Sequence, residues 1–137
     1  MKMLTTIFAA MLLMTACGET DDLTGMSPPL SLTGEWRQVN AGDTYQAATI
    51  TVDTIEIYWV SPDSKALYWA GSMPEKLDCA TPYDAQFKSI ADKSKTANAM
   101  LASQDDSKFF FFADGVIQYE VSMMGITSKI KLERIAE

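Results

Sequence analysis

The sequence predicts an all-β domain of antiparallel strands, either a sandwich or a barrel. Short segments of alternating apolar and polar residues follow one another from Leu32 onward, with turn residues between them. Two of the turns, Asp114-Gly115 and Met124-Gly125, separate the most regular segments. The spacing is too close for the crossover helices of βαβ units. A chain of 137 residues has room for one such domain.

The first segment, residues 1–16, is predicted to be an export signal. Lys2 gives it a positive start, and an apolar run from Met3 to Met14 follows. The run is too short to span a bilayer, which takes about 20 apolar residues. A basic start, a short apolar core and small residues at the end are typical of a signal peptide. The alternative is a buried N-terminal helix.

The end of this segment, Leu13-Met14-Thr15-Ala16-Cys17, resembles the lipobox of bacterial lipoproteins. The resemblance implies lipidation of Cys17 and a mature protein anchored to a bacterial membrane outside the cytoplasm. More than one acyl chain is needed for a stable hold on the membrane. Cys79 is then expected to be a small buried hydrophobic residue. The alternative is a secreted protein with a Cys17–Cys79 disulfide.

Residues 17–31 are predicted to be a flexible tether and residues 32–137 the domain. The tether ends in Pro28-Pro29, which favours an extended chain. Loss of Lys2 with the signal leaves 10 basic and 18 acidic residues, a net charge of −8. An acidic chain with scattered lysines is repelled by nucleic acid, so no nucleic-acid partner is expected.

The strands are predicted in chain order from apolar alternation and from β-branched and aromatic residues. They cover residues 34–39, 47–52, 55–60, 66–73, 83–90, 97–103, 109–112, 116–123 and 126–135. Residues 92–102 could be helical instead of contributing a strand.

The turns predict the register of several strands. The expected pairs are Ala113–Val116, Phe112–Ile117, Phe110–Tyr119, Tyr119–Ile130, Ile117–Leu132, Gln118–Lys131 and Glu120–Lys129. Apolar side chains then share one face, and a slip of one residue would mix the two faces. An Asp53-Thr54 turn would likewise pair Val52 with Ile55 and Ile50 with Ile57.

The same alternation divides the side chains between an inner and an outer face. Those expected inside are Trp36, Ile50, Val52, Ile55, Ile57, Trp59, Leu67, Trp69, Phe110, Phe112, Ile117, Tyr119, Val121, Ile130 and Leu132. Tyr58, Tyr68, Phe109 and Phe111 are expected outside. Phe109 and Phe111 need a cover, such as residues 97–101, or they form an apolar patch.

Gly34-Glu35-Trp36 resembles the Gly-x-Trp signature of lipocalins and other calycins. In that family an arginine near the end of the last strand packs across the tryptophan and closes the barrel floor. Arg134 shares the predicted inner face of Ile130 and Leu132. The resemblance therefore implies a small up-and-down β-barrel closed by Gly34, Trp36 and Arg134. A cation over an indole ring contributes about 0.5–2 kcal/mol.

No enzymatic activity is expected from this sequence. The chain has no histidine, the commonest general base and metal ligand, and it lacks the known nucleophile and phosphate-loop motifs. Asp105, Asp106 and Asp114 could hold calcium, but solvated loop charge is the better interpretation without a ladder of ligands. No metal or cofactor is expected.

Two functions fit these expectations. The first is a binding module for a small apolar or amphipathic ligand, held inside the barrel. Its ligand-binding residues would be Ile57, Trp59, Trp69, Phe110, Phe112 and Tyr119. The second is a cell-envelope interaction or inhibitor module, whose barrel is filled and whose outer aromatic residues contact another protein. Eight-stranded barrels can be filled by their own side chains or hold one small ligand.

Overall fold

The computed structural model describes residues 31–81 and 84–136. The elements in this part of the chain are β1 (Gly34–Gln38), β2 (Tyr45–Ile50), β3 (Thr54–Val60), β4 (Lys65–Ser72), β5 (Asp78–Thr81), β6 (Asp84–Ile90), α1 (Lys93–Thr96), β7 (Ser107–Ala113), β8 (Val116–Met123) and β9 (Ile126–Ala136). All neighbouring strands are antiparallel, in the order β4-β3-β2-β1-β9-β8-β7-β6-β5. The predicted all-β, up-and-down barrel is confirmed.

The sheet curls into a nearly closed barrel because its two ends meet along β4. Gly71 of β4 forms a β-bridge with Ala91, just after β6. Other carbonyl oxygens of β4 accept hydrogen bonds from the backbone N–H groups of Asp92 and Ser103. The segment between β6 and β7 therefore seals the seam. β1–β4 and β6–β9 form the eight-stranded wall, and β5 pairs beside the first half of β6.

The register of the last three strands agrees with the prediction, except that the expected Phe110–Tyr119 pair does not form, because the β7–β8 ladder ends at Phe111 and Gln118. Ala113 pairs with Val116, and β8 and β9 form all four predicted pairs. Asp114 and Met124 have φ angles of 55° and 54°, and the glycine after each also has a positive φ. Two-residue hairpin turns of type I′ require this conformation at both positions, which explains the two residue-glycine pairs.

The β2–β3 hairpin differs from the prediction. Ile50 pairs with Ile55, and Val52 lies in the connecting loop with 83% of its surface exposed. The two predicted pairs and the inward position of Val52 are therefore wrong. The physical reason is Thr51, whose hydroxyl accepts a hydrogen bond from the Thr54 N–H. Thr51 also donates its own N–H to the Thr54 carbonyl, which stabilises a longer loop.

The segment between β6 and β7 is not the predicted strand at residues 97–103. It begins with α1, so the helical alternative for residues 92–102 is closer, although the helix is short. The Asp92 side chain accepts a hydrogen bond from the Ser94 N–H and thereby caps the first turn. The segment lies along β4 and leaves Phe109 and Phe111 exposed on the outer face.

Tyr68 is buried, so its predicted outward position is wrong. The β3–β4 register shifts between Ile57 and Tyr58, because Tyr68 is an additional, unpaired residue in a β-bulge of β4. The bulge turns the Tyr68 ring into the barrel, where it stacks on Tyr119 with 6.5 Å between ring centroids. Bulges re-aim side chains in this way. Simple alternation along β4 cannot reveal the bulge.

The interior of the barrel is packed with its own aromatic and branched side chains. Phe87 stacks on Phe110 at 5.0 Å, and Phe110 contacts Tyr119 at 5.1 Å. The core consists of Leu32, Trp36, Ala48, Ile50, Ile55, Ile57, Tyr68, Trp69, Phe87, Phe110, Ile117, Tyr119, Val121, Ile130 and Leu132. These side chains fill the centre of the barrel, and two cavities lie instead in the barrel wall and at one end of the barrel.

Candidate functional site

One end of the barrel is closed by Trp36 and Arg134. The guanidinium carbon of Arg134 lies 4.5 Å from the centre of the Trp36 indole. The same guanidinium donates hydrogen bonds to the carbonyl oxygens of Ser31, at 2.8 Å, and Thr33. Gly34 begins β1 with a φ of 141°, a conformation that favours glycine. The indole–guanidinium contact implied by the Gly-x-Trp resemblance is therefore present, and it ties β9 to the start of the domain.

The six residues predicted to bind a ligand are divided between the packed interior and two surface cavities. Ile57, Trp69, Phe110 and Phe112 belong to the interior or pack against it. Tyr119 lies at the bottom of a crevice in the barrel wall, and Trp59 lines a groove at the barrel end opposite Arg134. The structure thus brings Tyr119 and Trp59 to surface cavities.

The crevice exists because β7 and β8 separate. Within the described chain, their ladder ends at the Phe111–Gln118 pair. Residues 107–110 of β7 continue to pair with β6, and residues 119–123 of β8 continue to pair with β9. The barrel wall is therefore split over roughly half the length of these two strands.

The β7–β8 crevice has a volume of about 600 Å³. The residues that line it are Asp105, Ser107, Lys108, Phe109, Phe111, Gln118, Tyr119, Glu120 and Lys129. Phe109 and Phe111 provide apolar surface at its outer edge, and Tyr119 closes its inner end. Its charged residues are two lysines and two acids, so the lining is close to neutral.

Lys108 bridges the split. Its Nζ donates a hydrogen bond of 2.9 Å to the carbonyl oxygen of Glu120, and it lies 5.3 Å and 5.8 Å from the rings of Tyr68 and Trp69. Burial lowers the pKa of the Lys108 ammonium, while the carboxylates of Asp105 and Glu120 act in the opposite direction. The crevice therefore contains a partly desolvated positive charge beside aromatic rings.

Sequence reasoning missed Lys108 and treated it as one of several scattered lysines. Lys108 lies two residues before Phe110, and strand alternation places both on one face. That position was the signal that could have identified it, because a lysine on an inward face needs a partner.

A polar cluster lies inside the barrel near the crevice. Gln46 is fully buried, and its Oε1 accepts a hydrogen bond from the Tyr119 hydroxyl. Gln46 faces Trp59 across β2 and β3. The Gln46 Nε2 and Trp59 Nε1 donors have no hydrogen-bond partner among the described residues. A buried donor without an acceptor costs about 1–3 kcal/mol, so these two donors are expected to lower the stability of the core.

Cys79 lies half-buried on β5, so it is more exposed than the small buried hydrophobic residue expected there. Cys17, the other cysteine of the sequence, lies outside the described residues, as do the predicted signal and nearly all of the predicted tether.

In the part of the chain that the structure describes, no three carboxylate, cysteine or histidine side chains are close enough together to hold a metal ion. Residues 31–81 and 84–136 also contain no helix of the length and hydrophobicity needed to cross a bilayer.

Comparisons with protein-family models, with curated proteins and with solved structures found no match to this chain. The topology is that of a nearly closed, eight-stranded, up-and-down barrel with an additional short strand. This architecture is compatible with a lipocalin-like fold, and with a role in binding a ligand or a partner.

Proposed function

We propose that this protein is a lipid-anchored binding module outside the cytoplasm, which holds a small amphipathic molecule in the β7–β8 crevice. The observation that carries the proposal is the end of the β7–β8 ladder at Phe111 and Gln118, which opens about 600 Å³ in the barrel wall. Sites for small molecules typically measure about 300–1,000 Å³. Because the centre of the barrel is packed, the wall is the better place for a ligand.

The lining of the crevice indicates the chemistry of this ligand. Phe109 and Phe111 offer aromatic surface to an apolar tail. Lys108 and Lys129 can donate hydrogen bonds to an oxygen of the head group, whereas Asp105 and Glu120 oppose a bare anion. A single-tailed molecule with a zwitterionic or neutral polar head fits this lining better than a free fatty acid.

Native mass spectrometry of the processed protein with added lysophosphatidylcholine tests the proposal. We expect a 1:1 adduct that the Phe109→Ser variant loses. Ile135→Ser is the matched control, because Ile135 is a strand residue that is 55% exposed, compared with 53% for Phe109. Equal binding by the wild-type protein and both variants, or no saturable adduct, would contradict the crevice as the site.

The lipid anchor rests on the lipobox-like residues that end at Cys17. Acylation and a disulfide compete for the same sulfur, because a thioether cannot also form a disulfide. The intact mass of the protein after expression in bacteria with its full leader distinguishes the two. We expect the loss of residues 1–16 together with added acyl chains, in both the wild-type protein and Cys79→Ser. A mass that fits an unmodified, oxidised chain would contradict the anchor.

A second candidate is a protein-interaction module with a filled barrel. It is favoured by Ile90, Phe109 and Phe111, which lie on neighbouring outward positions of β6 and β7 and are all about half exposed. Aromatic residues are enriched at the centre of protein interfaces. This candidate predicts that Phe109→Ser abolishes capture of an envelope protein while no small molecule binds the crevice.

A further inference from the structure

Exposed apolar residues gather at the barrel end opposite Arg134. They come from the segment after α1 and from the β8–β9 hairpin, and we name them the apolar rim: Met100, Leu101, Met123, Met124 and Ile126. Met100 and Met124 are almost fully exposed, at 95% and 97%. Single exposed apolar residues are ordinary, but five at one end of a small domain mark a contact surface.

A groove of about 330 Å³ joins the two parts of the apolar rim. Leu101 and Met123 lie on its walls together with Trp59, Val60 and Ala66. The remaining lining residues are a threonine and two serines, so none of the side chains that line the groove is charged. An uncharged groove with a few hydroxyl groups, beside exposed methionines, is suited to contact with a surface that is mainly apolar but carries some polar groups.

We propose that the apolar rim rests on the surface of the bilayer that holds the protein. The inference rests on the proposed lipid anchor at Cys17, which would keep a bilayer within reach of the domain at all times. Because of this tether, the bilayer is the apolar partner with the highest effective concentration at the rim.

The length of the chain before β1 permits contact between the rim and the bilayer. Ser31 is held at the far end of the barrel, where its carbonyl accepts a hydrogen bond from Arg134. Cys17 and Ser31 are 14 residues apart, which allows a reach of about 46–50 Å when fully extended. β9 has 11 residues and runs the length of the barrel, about 37 Å at 3.4 Å per residue. The rim can therefore touch the same surface that holds Cys17.

The charge of the domain indicates which surface suits the rim. The net charge of −8 expected after removal of residues 1–16 opposes contact with anionic lipid. The uncharged lining of the groove needs no anionic head group. Contact with zwitterionic phosphatidylcholine should therefore be sufficient, and it would place the groove with Trp59 at the lipid surface.

Methionine oxidation on vesicles tests the inference. The processed full chain is reconstituted in phosphatidylcholine vesicles, floated and treated with dilute peroxide, and sulfoxide formation is followed for each peptide. The Val52→Met variant supplies a matched reporter, because Val52 is 83% exposed in the β2–β3 loop at the Arg134 end. We expect Met100 and Met124 to oxidise several-fold more slowly than the introduced methionine, and all three to react equally in urea.

The other outcomes overturn the inference in distinguishable ways. If the protein floats with the vesicles but all three methionines react at one rate, the rim does not contact lipid although the anchor stands. If the protein does not float, the anchor fails and the inference fails with it. If protection weakens as protein is diluted at constant lipid, the rim binds a second copy of the chain instead.

Discussion

Lys108 and Glu120 join the two sides of the split barrel wall: the Nζ of Lys108 donates a hydrogen bond to the Glu120 carbonyl oxygen, 2.9 Å away. In a continued β7–β8 ladder that carbonyl would face a backbone N–H of β7. The lysine side chain replaces the missing backbone donor across a wider gap. The wall is thus held together at one point while the crevice beside it stays open.

The desolvated ammonium of Lys108 should make stability depend on pH. Burial lowers the pKa of Lys108 from its usual value of 10.5, so the unfolded chain holds the proton more tightly than the folded one. Between the lowered pKa and 10.5, the free energy of unfolding of the wild-type protein should rise with pH relative to Lys108→Met. Urea unfolding of both proteins from pH 8 upward measures this difference. A difference that stays constant with pH would show that Lys108 is fully solvated.

Arg134 should stabilise the closed end of the barrel. Arg134→Met removes the contact with the Trp36 ring and the hydrogen bonds to the carbonyl oxygens of Ser31 and Thr33. We expect a loss of about 1–3 kcal/mol in the free energy of unfolding, measured with urea. Lys131→Met is the control on the exposed face of the same strand and should change stability by less than about 0.5 kcal/mol. Equal effects of the two substitutions would remove the special role of Arg134.

Gly71 should be required for closure of the seam between β4 and β6. A Cβ at this position would lie 2.3 Å from Ser89 Oγ and 2.7 Å from the Ile90 carbonyl oxygen. Gly71→Ala should therefore destabilise the protein by about 1–3 kcal/mol, because packed backbone cannot yield easily. Gly42→Ala, where a Cβ has open space, should be neutral or slightly stabilising. Thermal unfolding compares the two variants, and a neutral Gly71→Ala would contradict close packing between β4 and β6 at the seam.

The polar pair inside the barrel should show strong coupling. Tyr119→Phe leaves the buried Gln46 Oε1 without its donor, at a cost of about 1–3 kcal/mol. Adding Gln46→Met removes the stranded acceptor and the partnerless Nε2, so the double variant should recover much of the loss. Urea unfolding of the two single variants and the double variant gives the coupling energy. Strictly additive losses would show that the hydroxyl and the amide do not interact.

The sequence predicted the fold best where turn chemistry left few choices. Asp114-Gly115 and Met124-Gly125 each permit a two-residue turn, and this fixed the register of β7, β8 and β9. The pairing of Trp36 with Arg134 was also accessible, because strand alternation and the Gly-x-Trp resemblance indicate the same face.

The differences arose where a side chain competes with the regular strand. Thr51 stabilises a longer loop through its hydroxyl, which moved Val52 to the surface. The bulge at Tyr68 accompanies packing of its ring against Tyr119, which lies far away in the sequence. The crevice was missed for a related reason: alternation along β7 predicts a full ladder with β8, and alternation alone does not reveal where such a ladder stops.

Photolabelling with a lysophosphatidylcholine that carries a diazirine in its acyl chain tests the central claim most directly. The processed protein is labelled with and without excess unlabelled lipid, and the modified residues are mapped by mass spectrometry. We expect labelling that the excess lipid suppresses, on β7 and β8 at Phe109, Phe111 or Tyr119. Suppressible labelling of the packed interior around Ile57 and Trp69 instead, or labelling that excess lipid does not reduce, would contradict a ligand site in the barrel wall.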